Sequence, residues 1–178
     1  MEKITAKTGR IVFIGGGMMA EAILKGMLHK EIADPAFITV SEPTAERRAY
    51  LENTYKVTAV SSNAEAVKTA GLVILAVKPQ VADAAITKEV AEAIPQNATV
   101  LSIMGSVNLD KLHSLVPGHA VIRVMPNTPL AVGSGMTAIA PDENVSTEML
   151  EAAKAIFGSC GEIEIVAESA IEAIAAIS

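Results

Sequence analysis

Apolar and polar positions alternate along this chain in blocks, not residue by residue. Short continuous apolar runs occur near Arg10–Ile14, Phe37–Ser41, Val57–Val60, Leu72–Val77, Thr99–Ile103 and Ala120–Met125. Between them lie stretches with helical spacing: Met18–His29, Thr44–Asn53, Asn63–Thr69, Val81–Ile94 and Asn108–Leu115. Gly, Pro or Asn breaks separate the blocks, among them Pro43, Gly71, Pro95 and Pro117-Gly118. A strand that is apolar at successive positions must be covered on both faces. Such strands alternating with helices predict an α/β fold built on a doubly wound parallel sheet. Two further strands, near Met136–Ala140 and Glu162–Val166, flank a predicted helix at Thr147–Phe157.

The first break carries the most chemistry. Ile11-Val12-Phe13-Ile14 runs into Gly15-Gly16-Gly17-Met18-Met19-Ala20, and a helical pattern (Ala22, Ile23, Leu24, Met27, Leu28) follows at once. This Gly-x-Gly-x-x-Ala order suits a Rossmann-like βα turn. Gly15 permits the tight bend, Gly17 lets the backbone approach a pyrophosphate, and Ala20 allows close packing of helix on strand. The free N–H groups of the helix's first turn then face the phosphates with a favourable dipole. A structural glycine turn is the alternative reading.

In a doubly wound sheet the ligand lies beyond the carboxyl ends of the strands. Three other segments fall there. Ser41-Glu42-Pro43 offers a carboxylate that can accept from adenosine ribose hydroxyls. Ala76-Val77-Lys78-Pro79-Gln80 follows the fourth strand, and Met125-Pro126-Asn127-Thr128-Pro129 the sixth. Two prolines stiffen the last of these, which reads as a ligand loop or as a crossover turn.

Composition narrows the class. The chain has 178 residues, enough for one domain with a proper core, and 51% of them are hydrophobic. The longest apolar run, Leu72–Val77, is too short to cross a bilayer, and Glu21 and Lys25 interrupt any signal-like segment. A net charge of −6 without basic clusters, no Trp and only 3% aromatic residues argue against nucleic acid. Arg47-Arg48, the one adjacent basic pair, is assigned to a helix surface. The single cysteine, Cys160, fits a reducing compartment and reads as a small buried or turn residue. His29, His113 and His119 show no metal-ligand spacing and are expected at the surface or at element ends. No metal is indicated, no membrane partner is expected, and the cytoplasm is the expected location.

Taken together these segments resemble the pyrroline-5-carboxylate reductase family. The resemblance rests on Phe13-Ile14-Gly15-Gly16-Gly17-Met18-Met19-Ala20-Glu21-Ala22-Ile23, Asn63-Ala64-Glu65 and Leu75-Ala76-Val77-Lys78-Pro79-Gln80. It continues through Arg123-Val124-Met125-Pro126-Asn127-Thr128-Pro129 and Val132-Gly133-Ser134-Gly135, in order and across essentially the whole chain. It implies an N-terminal domain like that of 6-phosphogluconate dehydrogenase, and NADPH- or NADH-dependent reduction of the small molecule 1-pyrroline-5-carboxylate to L-proline. Gly15, Gly17, Met18 and Met19 would then cradle the pyrophosphate. Ser41, Glu42 and Asn63 would lie at the adenosine ribose, with Asn63 also a candidate helix N-cap. Ala76, Val77, Lys78 and Pro79 would line the ribose and nicotinamide side. Met125, Asn127 and Thr128 would approach the nicotinamide or the substrate. Lys78 reads equally as an attractor of the substrate carboxylate and as a solvated lysine.

The chain departs from the family pattern in three places. Glu42-Pro43 replaces residues suited to a 2′-phosphate, and a carboxylate there would repel that group by up to ~1 kcal/mol through water. This favours NADH, although Ser41 and Arg47-Arg48 leave NADPH open. Met104 stands where the family has a smaller residue and is expected to narrow or reshape the pocket. The third departure is at the end of the chain. Glu168–Ser178 begins an apolar-faced helix with Ile171, Ile174 and Ile177 and shows no C-terminal cap. Residues 1–166 are read as the cofactor domain and 167–178 as the start of an interdomain or dimerisation helix. The substrate carboxylate site and the catalytic hydroxyl are expected in a further domain, so no catalytic residue is assigned here. The full-length protein is expected to be a homo-oligomer. This chain alone is expected to bind cofactor without turnover and to expose the three isoleucines. A non-catalytic nucleotide-binding module, or another small reductase on the same cofactor domain, remains the alternative.

Overall fold

The computed structural model describes residues 3–127, 129–130 and 133–177, with side chains described as far as residue 173. In chain order the elements are α1 (Thr5–Thr8), β1 (Arg10–Ile14), α2 (Met18–His29), β2 (Ile38–Ser41), α3 (Ala45–Tyr55) and β3 (Thr58–Val60). There follow α4 (Asn63–Val67), β4 (Ala70–Leu75), α5 (Ala82–Ala85), α6 (Lys88–Ala93), β5 (Thr99–Ser102), α7 (Leu109–Leu115) and β6 (Val121–Pro126). The last elements are β7 (Gly135–Pro141), α8 (Thr147–Gly158), β8 (Gly161–Ile165) and α9 (Glu168–Ile177).

The strands form one eight-stranded sheet in the order β3-β2-β1-β4-β5-β6-β7-β8. The first six are parallel, as their two-sided apolar sequences require. Successive residues feed opposite cores. Ile11, Phe13, Leu72, Ile74, Leu101, Ile122 and Val124 face one core, closed by α2, α3 and α8. Val12, Ile14, Val73, Leu75, Val100 and Val121 face the other, closed by α4 to α7. The strand order reverses between β1 and β4, which opens a crevice at their carboxyl ends.

All eight predicted strands are present; the differences are local. β7 runs antiparallel to β6, and β8 runs parallel to β7. The predicted helix Val81–Ile94 is broken into a 3₁₀ turn at Pro79–Val81, then α5 and α6. The break has a cause: Ile86 turns its side chain into the core, and the Thr87 side chain caps α6 by accepting from the Val90 N–H. Met104 is 1% exposed and packs in the second core, so any influence on the pocket would pass through core packing and not through an exposed side chain. His119 is buried in the turn before β6, with Nδ1 3.3 Å from the Ala98 carbonyl oxygen, while His29 is exposed and His113 half-buried.

The terminal helix also corrects an expectation. Ile171 is fully buried against Ala138 and Ala140, beside Met125 and Val166, because α9 folds back over the face of the reversed strand β7. The side chains of Ile174 and Ile177 lie outside the described residues. Glu168, at the start of α9, accepts from Arg123 Nη1 at 2.9 Å and from the Leu109 N–H at 2.6 Å. Arg123 is buried in β6, and its Nη2 donates to the Gly105 carbonyl at 2.9 Å.

Helix α2 approaches the turn after α8 so closely that a Cβ at Gly26 would strike Cys160 Sγ. Cys160 is buried there, and burial raises its thiol pKa, partly offset by its contact with Ser159. Gly26→Ala is expected to destabilise by about 1–3 kcal/mol through overpacking. Adding Cys160→Ala should recover most of that loss, as urea denaturation of the single and double variants will show. Glu168→Ala removes the nearer, hydrogen-bonded carboxylate from the buried Arg123 and leaves only the more exposed Glu172 at 3.9 Å. Its expected cost is roughly 2 kcal/mol in the same assay, below a fully buried pair because Glu168 is 29% exposed.

Candidate functional site

The crevice is built around the β1–α2 turn. Gly15 has φ +99°, and a Cβ there would lie 2.8 Å from the Ala76 carbonyl oxygen, so only glycine lets the turn sit against the end of β4. Ala76 N–H donates to the Ile14 carbonyl at 2.8 Å, which fixes that approach. Gly16 is also constrained by packing, which its place in the motif did not reveal: its Cβ would meet Leu51 Cδ1 at 2.9 Å and Glu42 Cβ at 3.1 Å. Gly17 differs, because a Cβ there would meet nothing within 4 Å. It is the N-cap residue of α2, and no side chain caps that helix. The first-turn N–H groups of α2 therefore have neither a side-chain cap nor an intrahelical acceptor. That is the donor set an anionic pyrophosphate needs. Met18, 87% exposed at the mouth of this turn, and Met19, half-buried beside it, offer apolar surface to a ligand lying across it.

Glu42 does more than project from β2. Its Oε2 accepts from the Gly16 N–H at 3.1 Å and its Oε1 from the Thr44 N–H at 3.0 Å. The carboxylate is thus held at the rim of the crevice, with lone pairs left for ribose hydroxyls. Ser41 is buried, and its hydroxyl donates to Asn63 Oδ1 at 2.5 Å. Asn63 Nδ2 in turn donates to the Ala85 carbonyl at 2.8 Å. Asn63 is not the helix cap: Ser62 fills that position, accepting from the Glu65 N–H, and this leaves the Asn63 amide to tie β2 to α5.

The arginine pair is not an idle helix surface. Arg47 Nε donates to the Gly16 carbonyl at 2.7 Å, and Nη2 donates to the Gly17 carbonyl at 3.4 Å and to Glu21 Oε2 at 2.5 Å. Arg48 Nη1 donates to the carbonyls of Glu42 and Pro43 at 2.8 and 2.7 Å. Glu21 also accepts from the Tyr50 and Tyr55 hydroxyls at 2.8 and 2.6 Å. Burial alone would raise the Glu21 carboxyl, but these hydrogen bonds and the Arg47 charge outweigh it and hold its pKa below the ordinary value. Burial and the Glu21 bond push the Tyr55 hydroxyl up, so it stays a donor. The glycine motif carried no signal of this cluster, whose members lie on two helices.

On the opposite side of the crevice, Ala76, Val77 and Pro79 are half-buried. Lys78 is exposed, with no ionic partner among the described residues. Met125 is half-buried, and its Sδ would lie 3.0 Å from a Cβ at Gly105, so the ends of β5 and β6 meet there. Asn127 is exposed, and its Oδ1 accepts from the Met136 N–H at 2.9 Å, pinning the loop to the start of β7. Thr128 and Val132 lie outside the described residues. The structure therefore gathers Gly15, Gly17, Met18, Met19, Ser41, Glu42, Asn63 and Ala76–Pro79 around one crevice, with Met125 and Asn127 two strands further along the same edge. No group of three or more His, Cys, Asp or Glu among the described residues could hold a metal ion.

Residues 10–106 match the family model described as NADP oxidoreductase coenzyme F420-dependent. The pyrroline-5-carboxylate reductase of Synechocystis sp. is 42% identical over 165 residues, covering 93% of this chain and 61% of the relative. A solved pyrroline-5-carboxylate reductase from Coxiella burnetii superposes with TM-score 0.89 at 28% identity, covering 96% of this chain and 64% of that one. The Plasmodium falciparum pyrroline carboxylate reductase, solved with NADP bound, gives TM-score 0.82 at 26% identity, over 95% and 62% of the two chains. The chain spans about three-fifths of the length of the curated relative. With the glycine turn, the strand order and the family match in agreement, the chain belongs to the NADP oxidoreductase coenzyme F420-dependent family, and over most of its length it is similar to pyrroline-5-carboxylate reductases.

Proposed function

We propose that this chain is the cofactor-binding part of a pyrroline-5-carboxylate reductase. In that reaction NADH or NADPH gives a hydride to the imine carbon of 1-pyrroline-5-carboxylate, and a proton is added at nitrogen to yield L-proline. The observation that carries the reading is the open, uncapped first turn of α2 above Gly17, at the reversal of strand order. The cofactor itself supplies the hydride. The residues of this chain would bind and orient it. Met18 and Met19 would present their backbone N–H groups to the pyrophosphate, and Gly15 would let the turn approach β4. Ser41, Glu42 and Asn63 would lie by the adenosine ribose. Ala76, Val77, Lys78 and Pro79 would flank the second ribose. Met125 and Asn127 would lie close to the nicotinamide or the substrate, and the groups that act on the imine would come from outside this chain. The acidic charge of −6 and the lone cysteine support a cytoplasmic protein without nucleic acid partners, and the likeness to pyrroline-5-carboxylate reductases supports a small-molecule substrate. Among the described residues no helix is long and apolar enough to cross a membrane.

The geometry around Glu42 favours NADH. The carboxylate is tethered to two backbone N–H groups and cannot swing aside without breaking both bonds. Arg47 is paired with Glu21, and Arg48 Nη1 is engaged with the Glu42 and Pro43 carbonyls, so a 2′-phosphate would have to compete for them. In a fluorescence titration the chain is expected to bind NADH about fivefold more tightly than NADPH, the equivalent of ~1 kcal/mol of repulsion. Glu42→Gln should bring the two affinities together. Equal affinities in the unaltered chain would remove Glu42 as the discriminator, and binding of neither dinucleotide would overturn the cofactor-site reading.

A further inference from the structure

The grip of Arg47 on the glycine turn has a consequence for the cofactor that goes beyond charge. A peptide unit is planar, and in its trans form the C=O and the following N–H point in opposite directions. The Gly16 carbonyl belongs to the same peptide unit as the Gly17 N–H, and the Gly17 carbonyl to the same unit as the Met18 N–H. Arg47 Nε holds the Gly16 carbonyl on the α3 side of the turn, whereas the Gly17 carbonyl accepts from the Glu21 N–H within α2 at 3.0 Å and from Arg47 Nη2 at 3.4 Å. The Gly17 N–H must therefore face away from α3, while the Met18 N–H is aimed out of the first turn by the helix itself. A charge-assisted bond to a carbonyl also polarises its peptide unit and strengthens the N–H as a donor. Gly16 itself is excluded from this role, because its N–H is taken by Glu42.

We propose that Arg47 is a positioning residue for the dinucleotide, aiming the Gly17 N–H and polarising both the Gly17 and Met18 N–H groups toward the pyrophosphate without touching it. This rests on the cofactor-site reading above. Glu21 and the two tyrosines complete the device. Glu21 holds Arg47 Nη2, Tyr50 and Tyr55 hold Glu21, and the guanidinium carbon lies 5.0 Å from the Tyr50 ring centroid. The guanidinium is thereby fixed in one plane. Its charge is largely matched by Glu21, so the effect reaches the ligand through the peptide units and not as a bare cation. A lysine could neutralise Glu21 but could not bond both carbonyls and the carboxylate from a fixed fork.

The test compares the unaltered chain with Arg47→Met, Arg47→Lys and the charge-balanced double variant Glu21→Gln with Arg47→Met. NADH affinity, melting temperature and the amide proton shifts of the free proteins are measured for each. Arg47→Met should weaken NADH binding about fivefold to tenfold and move the Gly17 and Met18 amide protons upfield. Arg47→Lys should recover stability but only a minor part of the affinity. The double variant should melt near the unaltered chain and still bind weakly, which separates positioning from folding. Recovery of full affinity along with stability in the double variant would overturn the proposal. So would unmoved Gly17 and Met18 amides in Arg47→Met. If the unaltered chain fails to bind NADH, the cofactor-site reading falls and this proposal with it; normal binding by the unaltered chain and Arg47→Met alike overturns this proposal alone.

Discussion

Ile11 and Phe13 face one apolar core, and Val12 and Ile14 face the other, so β1 has no polar side. The same holds for β4, where Leu72 and Ile74 alternate with Val73 and Leu75. A strand of this kind is stable only between two helical layers, and that two-sided burial dictates most of the architecture. It forces crossover connections, places helices on both faces, and leaves the strand ends as the edge where irregular backbone can meet solvent. Because β1 sends one connection to β2 and has β4 on its other side, the reversal in strand order falls beside the glycine turn. The crevice is a product of core packing before any polar residue is considered.

Polar chemistry then sharpens that crevice by holding backbone, not by projecting side chains into it. Glu42 takes the Gly16 N–H, Arg47 takes the carbonyls of Gly16 and Gly17, and Arg48 takes those of Glu42 and Pro43. Asn63 spends its amide on Ser41 and Ala85, and Asn127 spends its carbonyl oxygen on Met136. A dinucleotide is recognised largely through phosphates and hydroxyls, which rigid backbone donors and well-anchored acceptors serve at little cost in ordering. The structure has the logic of a pre-organised cradle.

A second polar cluster ties the far side of the sheet together. Arg123 is buried beneath α9, where Glu168 and the Gly105 carbonyl accept from it, and Glu168 also accepts from the first N–H of α7. One ion pair therefore joins β6, α7, α9 and the loop after β5. Its desolvation cost is partly offset by several bonds at once, while Arg123 Nε stays buried without a hydrogen-bond partner among the described residues. Arg123 lies two residues before Met125, so the same cluster steadies the strand that leads into the Met125–Asn127 segment.

Block patterning alone carried the α/β class, all eight strands and the place of the glycine turn, because continuous apolar runs and a Gly-x-Gly-x-x-Ala break leave few other ways to bury the chain. It also pointed to Glu42 and to the segments after β4 and β6, since those follow strand ends. What it could not decide were interactions between residues distant in sequence. The reversed direction of β7 depends on how the segment after Pro126 packs back on β6, and that direction in turn buries Ile171. Met104 reads locally as a pocket residue, but the turn after β5 sends it into the core. Ser62 and Asn63 are both good caps, and only the position of Ser41 and Ala85 decides which one serves the helix. Arg47, read as surface from its helical neighbours, meets Gly16 and Glu21 only once α3 lies against α2. Local apolar periodicity determined the elements; the partners of buried or half-buried polar groups, which must be satisfied across elements, were set by tertiary packing.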